Sequence, residues 1–431
     1  MVLVSCHDKN SSEEETRTYG RTVLVYMAMQ NSLGSSRFHK ADSTEIAEAM
    51  QYIPTNDRLL LFIDDAERPR LYELNRDCTE INKKTGKPFG PTLVKQWPTD
   101  VSSASAATVT EALTFMRQQY ESESYCLVMG SHATGWLPRE RGTSGNNSQQ
   151  RKGPKKTFGI DVGPEGSMAS DAGVAGSLTD QIEIDDLASG IAKSGVHLDY
   201  ILFDACLMQN IEVDYALRHV TDYVIASPIS ISAEGAYYTD LVHYGLFSSD
   251  VADVGRTYVD YYLGKGSIPY RDTYGTVLSC VKTAGLDQLA ETVSTLLQEL
   301  TKTSSVEDKV EALKQANLND ALNYHAYTST FYLRPHFYDF LNAFIALGAN
   351  DQQLATLRRA LADVITYKGA SDTYWIGPGV WTMQTMPTDE DSWCGVSIFI
   401  PQQIYTTNAN RCVFGDLNVA YKQTEWYKKV Y

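Results

Sequence analysis

The chain has no CxxC pair, although seven cysteines are scattered through its 431 residues. That scatter offers no zinc site and no evident disulfide framework. There is no HExxH motif and no EF-hand loop, so a metal mechanism has no support in the sequence. No GxGxxG or Walker loop follows a strand-like run, which argues against a nucleotide-binding α/β protein. No apolar run approaches the length of a membrane-crossing helix, and no internal repeat is present. Positive charge is scarce: 37 Lys and Arg stand against 53 Asp and Glu, a net charge of -16. With a pI near 5.0, no phosphate-facing basic surface is implied, which excludes a nucleic-acid binder. An acidic surface favours cationic substrates.

What is present describes an ordinary soluble protein: 43% hydrophobic residues and a mean hydropathy of -0.28. The length exceeds a usual single core, so one large or two smaller domains are expected. Apolar runs at residues 22–29, 58–64 and 126–129 read as buried strands, and helical spacing fills residues 42–50 and 105–119 between them. Short runs at 71–74 and 93–96 suit a small antiparallel extension. This β-α alternation predicts a mostly parallel sheet covered on both faces. Residues 137–178 carry eight Gly and the basic cluster Arg151-Lys152-Gly153-Pro154-Lys155-Lys156. So long and polar a loop is exposed and easily cut. Beyond residue 264 a strand is expected at 275–281, helices at 286–300, 306–317, 337–347 and 351–366, and a strand at 395–400. The organisation expected is a flexible start at 1–20, a domain at 21–264 and a mixed, helix-rich region at 265–431.

Two strand ends carry chemistry. Ile201-Leu202-Phe203 is a short buried run that stops at Asp204-Ala205-Cys206, with helical spacing from Leu207 to Leu217. Ligands of open α/β sheets bind beyond the carboxyl ends of strands. A thiol there is either an inert buried Cys, beside an acid that caps the next helix, or a nucleophile. Upstream, the run Cys126 to Met129 ends in Gly130-Ser131-His132. A His at an adjacent strand end supplies the base that a Cys nucleophile needs; otherwise it is a polar loop residue. At the start, Leu3-Val4-Ser5-Cys6 resembles a bacterial lipobox, in which the Cys becomes lipidated, followed by a polar tether at 7–18. The location expected is therefore extracytoplasmic: an outer-membrane or cell-surface lipoprotein, or a secreted protein.

Four stretches together resemble the clostripain-like cysteine peptidases, relatives of the caspases. They are Ala28 to Leu33, Ser131-His132-Ala133-Thr134-Gly135-Trp136, Phe203 to Met208, and Gly395 to Pro401. The second is similar to the family's His-Gly-x-Gly-Trp, and the third matches its Cys motif closely. The resemblance implies a caspase-like α/β/α sandwich and an endopeptidase that cuts protein or peptide substrates after Arg or Lys. Cys206 would be the nucleophile and His132 the base and acid, as a thiolate–imidazolium pair reactive near neutral pH. Backbone N–H groups of Cys206 and Ala133 would bind the oxyanion. Ala133 stands where the family usually has Gly, and a position needing positive φ would strain it.

The resemblance further implies that Asp204 lies in the specificity pocket, where a buried carboxylate selects a cation. Glu234, in the loop after the next strand, is a second candidate acid, or simply a solvated loop residue. Family members are often activated by a cut between the His and Cys motifs. Self-cleavage is expected after Lys156, with Lys155, Lys152 and Arg151 as alternatives. No cofactor is expected from the residues; calcium enters by family resemblance alone. The competing reading is a non-catalytic caspase-like binding protein, motivated by Ala133 and the helical carboxyl-terminal region.

Overall fold

The computed structural model describes residues 18–65, 67–137, 158–161, 180–270, 273–329, 332–377, 383–407 and 416–431. Nine strands form the central sheet: β1 (Tyr19–Ala28), β2 (Arg58–Asp64), β3 (Arg70–Leu74), β4 (Thr92–Gln96), β5 (Ser122–Gly130), β6 (Leu198–Asp204), β7 (Thr221–Ala226), β8 (Val277–Lys282) and β9 (Ile365–Ala370). Their spatial order is β9-β8-β7-β6-β5-β1-β2-β3-β4. The middle five, β7-β6-β5-β1-β2, are parallel. Each edge is extended by two antiparallel strands.

Side chains of a strand alternate between faces, so each central strand feeds two cores. From β1, Leu24, Tyr26 and Ala28 enter one core and Val23, Val25 and Met27 the other. That is why the run has no polar break: a strand buried on both faces has no solvent side to mark. One face is covered by α2 (Ala106–Gln119), α3 (Ile184–Ser194), α4 (Ile211–Leu217) and α6 (Leu286–Thr301). The other is covered by α1 (Phe38–Glu48), through Ile46, and α5 (Ala252–Tyr262), through Val254, Tyr258 and Val259. The result is the α/β/α sandwich expected from the sequence.

The chain beyond residue 264 is woven into this body. It supplies β8 and β9 to the central sheet. It also forms a hairpin, Asn323–Ser329 with Tyr332–Asp339, that pairs with Ser397–Ile398. Ser397 in turn leans on the segment after Cys206: its N–H donates to the Gln209 carbonyl at 2.9 Å. Asn210 Nδ2 donates to its hydroxyl at 3.1 Å.

Several boundaries differ from the expectation. The helix expected at 337–347 begins at Phe340, because Asp339 caps it by accepting from the Asn342 N–H at 2.9 Å. Residues 332–339 before it are strand. The helix expected at 351–366 stops at Ala362, and Ile365 opens β9. The helix expected from Leu207 starts at Ile211, since residues 205–210 form the turn that carries the thiol. The strand expected at 395–400 is regular only at Ser397–Ile398.

Candidate active site

The parallel strands change direction of progress between β1 and β5: β2 lies on one side of β1, while β5, β6 and β7 follow on the other. Such a switch opens a crevice at the carboxyl ends of the strands. The loops after β1, β5, β6 and β7 rim it. In the register of β5 with β6, Gly130 is opposite Asp204. His132 and Cys206 each lie two residues beyond that pair, so both emerge at the same edge of adjacent strands.

Cys206 is partly buried, with Sγ 3.9 Å from the Ile231 carbonyl. Its turn is stitched to the loop after β7. Leu207 N–H donates to the Ile229 carbonyl at 2.9 Å, and Gln209 N–H to that of Ser227 at 3.1 Å. Leu207 itself has φ of 63°. A bulky residue in the left-handed region costs about 1–2 kcal/mol and persists only where its surroundings hold it. Burial pushes the Cys206 thiol up to about 11, with the nearby Asp204 charge adding to the shift. In this arrangement the thiol is therefore neutral near pH 7. Desolvation dominates at the sulfur, and the contact with the Ile231 carbonyl opposes it.

The Nε2 atom of His132 lies 3.0 Å from the Ser32 hydroxyl, in the loop after β1. The His132 carbonyl accepts from the Gly159 N–H at 2.9 Å. Asn31 ties these loops together. Its Nδ2 donates to the Ala28 and Ile160 carbonyls, both at 2.9 Å. Ser131 Oγ donates to the same Ala28 carbonyl at 2.7 Å. Ala133 bridges Phe158. Among the described residues, the non-glycine positions with positive φ are Arg37, Leu207 and Lys302. Ala133 is therefore free of the strain that a left-handed position would have imposed. The demanding position is Gly135, with φ of 65°. A Cβ there would lie 2.5 Å from Asn210 Oδ1 and 2.6 Å from the Leu207 carbonyl oxygen. Glycine thus lets the His loop and the Cys loop touch backbone to backbone.

Asp204 does not cap the following helix, whose N-cap is Asn210. Its carboxylate accepts from the Ala236 N–H at 3.1 Å, the Tyr238 hydroxyl at 3.0 Å and the Tyr258 hydroxyl at 3.0 Å. Burial raises its pKa, and those bonds oppose the rise. Glu234 is exposed and accepts from the Tyr261 hydroxyl at 3.2 Å. Two further acids come from α1, which sequence reasoning missed. Glu45 accepts from the Tyr238 N–H at 2.9 Å. Burial is the main cause of its rise to about 7, with the Asp204, Glu48 and Glu234 charges contributing. Asp42 is buried and also pushed up, by desolvation first and then by Asp204 and Glu45. Among the described residues no ion pair joins Asp42, Glu45, Asp204 or Glu234 to a cation. Four acids without a cation thus share the strand ends. Burial holds the pKa of Asp42, Glu45 and Asp204 up, with mutual repulsion adding at Asp42 and Glu45.

Cys6 and the basic residues Arg151, Lys152, Lys155 and Lys156 lie outside the described residues. Among the described residues there is no cluster of three or more His, Cys, Asp or Glu that could hold a metal ion. Nor is any described helix long and apolar enough to cross a membrane.

A caspase-like sandwich with a thiol and an imidazole on neighbouring strand ends defines a class, the cysteine peptidases of this fold. Comparison narrows it. The chain matches the clostripain family over residues 25–152 and 174–430. It belongs to that family, and it is a cysteine peptidase. No curated protein matches it. Among solved structures it is similar to an inactive zymogen of a C11 protease from Parabacteroides distasonis. Identity there is 27%, covering 96% of this chain and 99% of that one, with a TM-score of 0.70. It shares its fold with a secreted C11 cysteine protease from Bacteroides thetaiotaomicron, solved with an irreversible peptide inhibitor. In that case identity is 24%, coverage 95% of this chain and 98% of that one, and the TM-score 0.69.

Proposed function

We propose that this peptidase cuts polypeptides after Arg or Lys through a Cys206–His132 dyad. The observation that supports the reading is the pairing of Gly130 with Asp204, with His132 and Cys206 each two residues further along adjacent strands. His132 takes the thiol proton as Sγ attacks the scissile carbonyl carbon. The carbonyl π-bond opens, and the negative oxygen accepts from the N–H groups of Cys206 and Ala133. Collapse breaks the C–N bond, and His132 returns the proton to the leaving amine. Water then attacks the thioester, giving its proton to His132, and the C–S bond breaks to release the carboxylic acid.

The unpaired acids support a cationic residue before the scissile bond. Asp204, with Glu234 as a second candidate, is the acid assigned to the guanidinium or ammonium. Glu45 adds negative charge there as pH rises through about 7. An uncharged side chain would leave that charge uncompensated. Maturation is assigned to self-cleavage after Lys156, with Lys155, Lys152 and Arg151 as alternatives. The basic cluster in an otherwise acidic chain supports this, since it suits the enzyme's own specificity. The chain is taken to act outside the cytoplasm, as a lipoprotein held by a lipid on Cys6 or as a secreted protein, with calcium a candidate by family resemblance alone.

The test is a set of fluorogenic peptides identical except for Arg, Lys, Asp or Leu before the scissile bond. Wild type and Cys206→Ala are compared after the chain has reached its final mass. Hydrolysis after Arg or Lys, lost in the variant, is expected. Hydrolysis after Asp or Leu would overturn the acidic pocket. Activity surviving in Cys206→Ala would overturn the dyad. A folded, cut chain without hydrolysis would favour the binding-protein reading.

A further inference from the structure

The loop after β1 takes no part in the dyad, yet it reaches the imidazole. Ser32 Oγ is 3.0 Å from His132 Nε2, a hydrogen-bond distance. The hydroxyl is not a chance neighbour on a loose loop. Ser32 opens the short helix Ser32–Ser35, and Asn31 before it caps that helix by accepting from the Leu33 N–H at 2.9 Å. Asn31 is wholly buried. Its Nδ2 bonds to the Ala28 and Ile160 carbonyls fix the loop to the end of β1 and to the strand Phe158–Asp161. That same strand holds the His loop, its Gly159 N–H donating to the His132 carbonyl. Ser32 and His132 are therefore held by one shared backbone frame.

We infer that Ser32 is a positioning residue of the catalytic centre, fixing the ring orientation and tautomer of His132 so that Nδ1 serves Cys206. This rests on the reading of His132 as the base. An imidazole carries one proton on either nitrogen when neutral, and the partner of one nitrogen sets the role of the other. With Nε2–H donating to Ser32 Oγ, the proton-accepting nitrogen of the neutral ring is Nδ1. The S–H bond of Cys206 breaks as an Nδ1–H bond forms, leaving thiolate and imidazolium. Nε2–H continues to donate to the hydroxyl oxygen, which is better placed against the charged ring than against the neutral one. The aid is needed here because burial holds the Cys206 thiol protonated until a base takes its proton. A carboxylate or carbonyl often does this service for a catalytic or metal-bound histidine; here a hydroxyl does it.

The experiment compares Ser32→Ala, Ser32→Thr, Ser35→Ala and His132→Ala in the full chain, each at its final mass and with its melting curve recorded. Ser35 lies on the same short helix, and its hydroxyl donates to the Ser32 carbonyl at 2.9 Å. Its removal disturbs the helix without removing the hydroxyl at Nε2. Ser32→Ala is expected to lower kcat about 10- to 100-fold, the scale of a misaligned catalytic group, with KM within about twofold. Ser32→Thr keeps the hydroxyl and restores most of that loss, while Ser35→Ala stays at wild-type kcat. Wild-type kcat in Ser32→Ala would overturn the inference. So would a loss shared equally by Ser35→Ala, or one carried by KM alone, since either describes a disturbed helix rather than a lost partner. Activity remaining in His132→Ala would remove the dyad itself, a failure recognisable because it does not depend on Ser32.

Discussion

Replacing Gly135 by alanine should damage both stability and turnover, and the structure gives the scale. Gly135 has φ of 65°, a conformation that costs an L-residue about 1–2 kcal/mol. The added methyl would lie 2.6 Å from the Leu207 carbonyl oxygen and 2.5 Å from Asn210 Oδ1. Neither neighbour can swing aside. The Leu207 oxygen is backbone, and Asn210 Nδ2 already donates to it at 2.8 Å and to Ser397 Oγ at 3.1 Å. Relief must come from a backbone shift, at about 1–3 kcal/mol for an overpacked site. Together these cost about 2–5 kcal/mol, a large part of the 5–15 kcal/mol that holds a typical protein folded. The shift also separates the His loop from the Cys loop, so kcat should fall at least about tenfold. Urea denaturation of Gly135→Ala and wild type gives the first quantity as a lowered midpoint, and peptide hydrolysis gives the second. A variant with the wild-type midpoint and wild-type kcat would refute the argument that the two loops need this close approach.

Two further predictions concern charge. Glu45, raised to about 7, is neutral below that pH and ionised above it. Binding of a small guanidinium such as agmatine should therefore tighten as pH rises through about 7, and Glu45→Gln should flatten that rise. Its folded-state pKa lies above the ordinary carboxylate value, so the folded protein holds this proton more tightly than the unfolded chain. The stability Glu45 contributes is full at low pH and is lost as pH rises toward about 7. Melting curves from pH 5 to 8 should show this loss in wild type but not in Glu45→Gln. Separately, the Cys206 thiol is raised from an ordinary 9.0 to about 11. Before any cut in the chain, iodoacetamide at pH 7 should alkylate it about 100-fold more slowly than an exposed cysteine, because its thiolate fraction is smaller by about that factor. Site-resolved mass spectrometry measures the rate, and ordinary cysteine reactivity would contradict the burial argument.

The parallel half of the sheet was legible because its strands are buried on both faces, so Val23 to Ala28 and Leu59 to Ile63 carry no polar break. The two motif ends were legible for the same reason: Ser131-His132 and Asp204-Ala205-Cys206 stand out against the apolar runs before them. The antiparallel edge was harder. Ile365-Thr366-Tyr367-Lys368-Gly369-Ala370 is only half covered and follows a helix after two residues, so its pattern merges with helical spacing. The hairpin at 323–339 was hidden because Phe337 to Phe344 is apolar apart from Asp339 and Asn342, and the Asp339 cap that divides it is a single residue.

The acidic group was half legible. Asp204 was marked by its place before the thiol. Asp42 and Glu45, three residues apart on a helix, look like a solvated face. The hydroxyls that hold Asp204 come from Tyr238 and Tyr258, 34 and 54 residues downstream. Nothing local announces them. Ser32 sat within a recognisable stretch, but its contact with His132 spans 100 residues and exists only once β1 and β5 pair.

The ties between the Cys loop and the strand Ser397–Ile398 bear on when the enzyme comes into being. Asn210 reaches Ser397, and the Phe399 N–H donates to Glu212 at 3.0 Å, contacts that span 187 residues of chain. A ribosome adds residues at about 5–20 per second. Between the emergence of Cys206 and that of its last supports, about 10–40 s pass at that rate. During that interval the thiol loop lacks the strand that braces it. The span of chain thus acts as a clock, keeping the thiol loop of a nascent protease unbraced until residue 399 has been made.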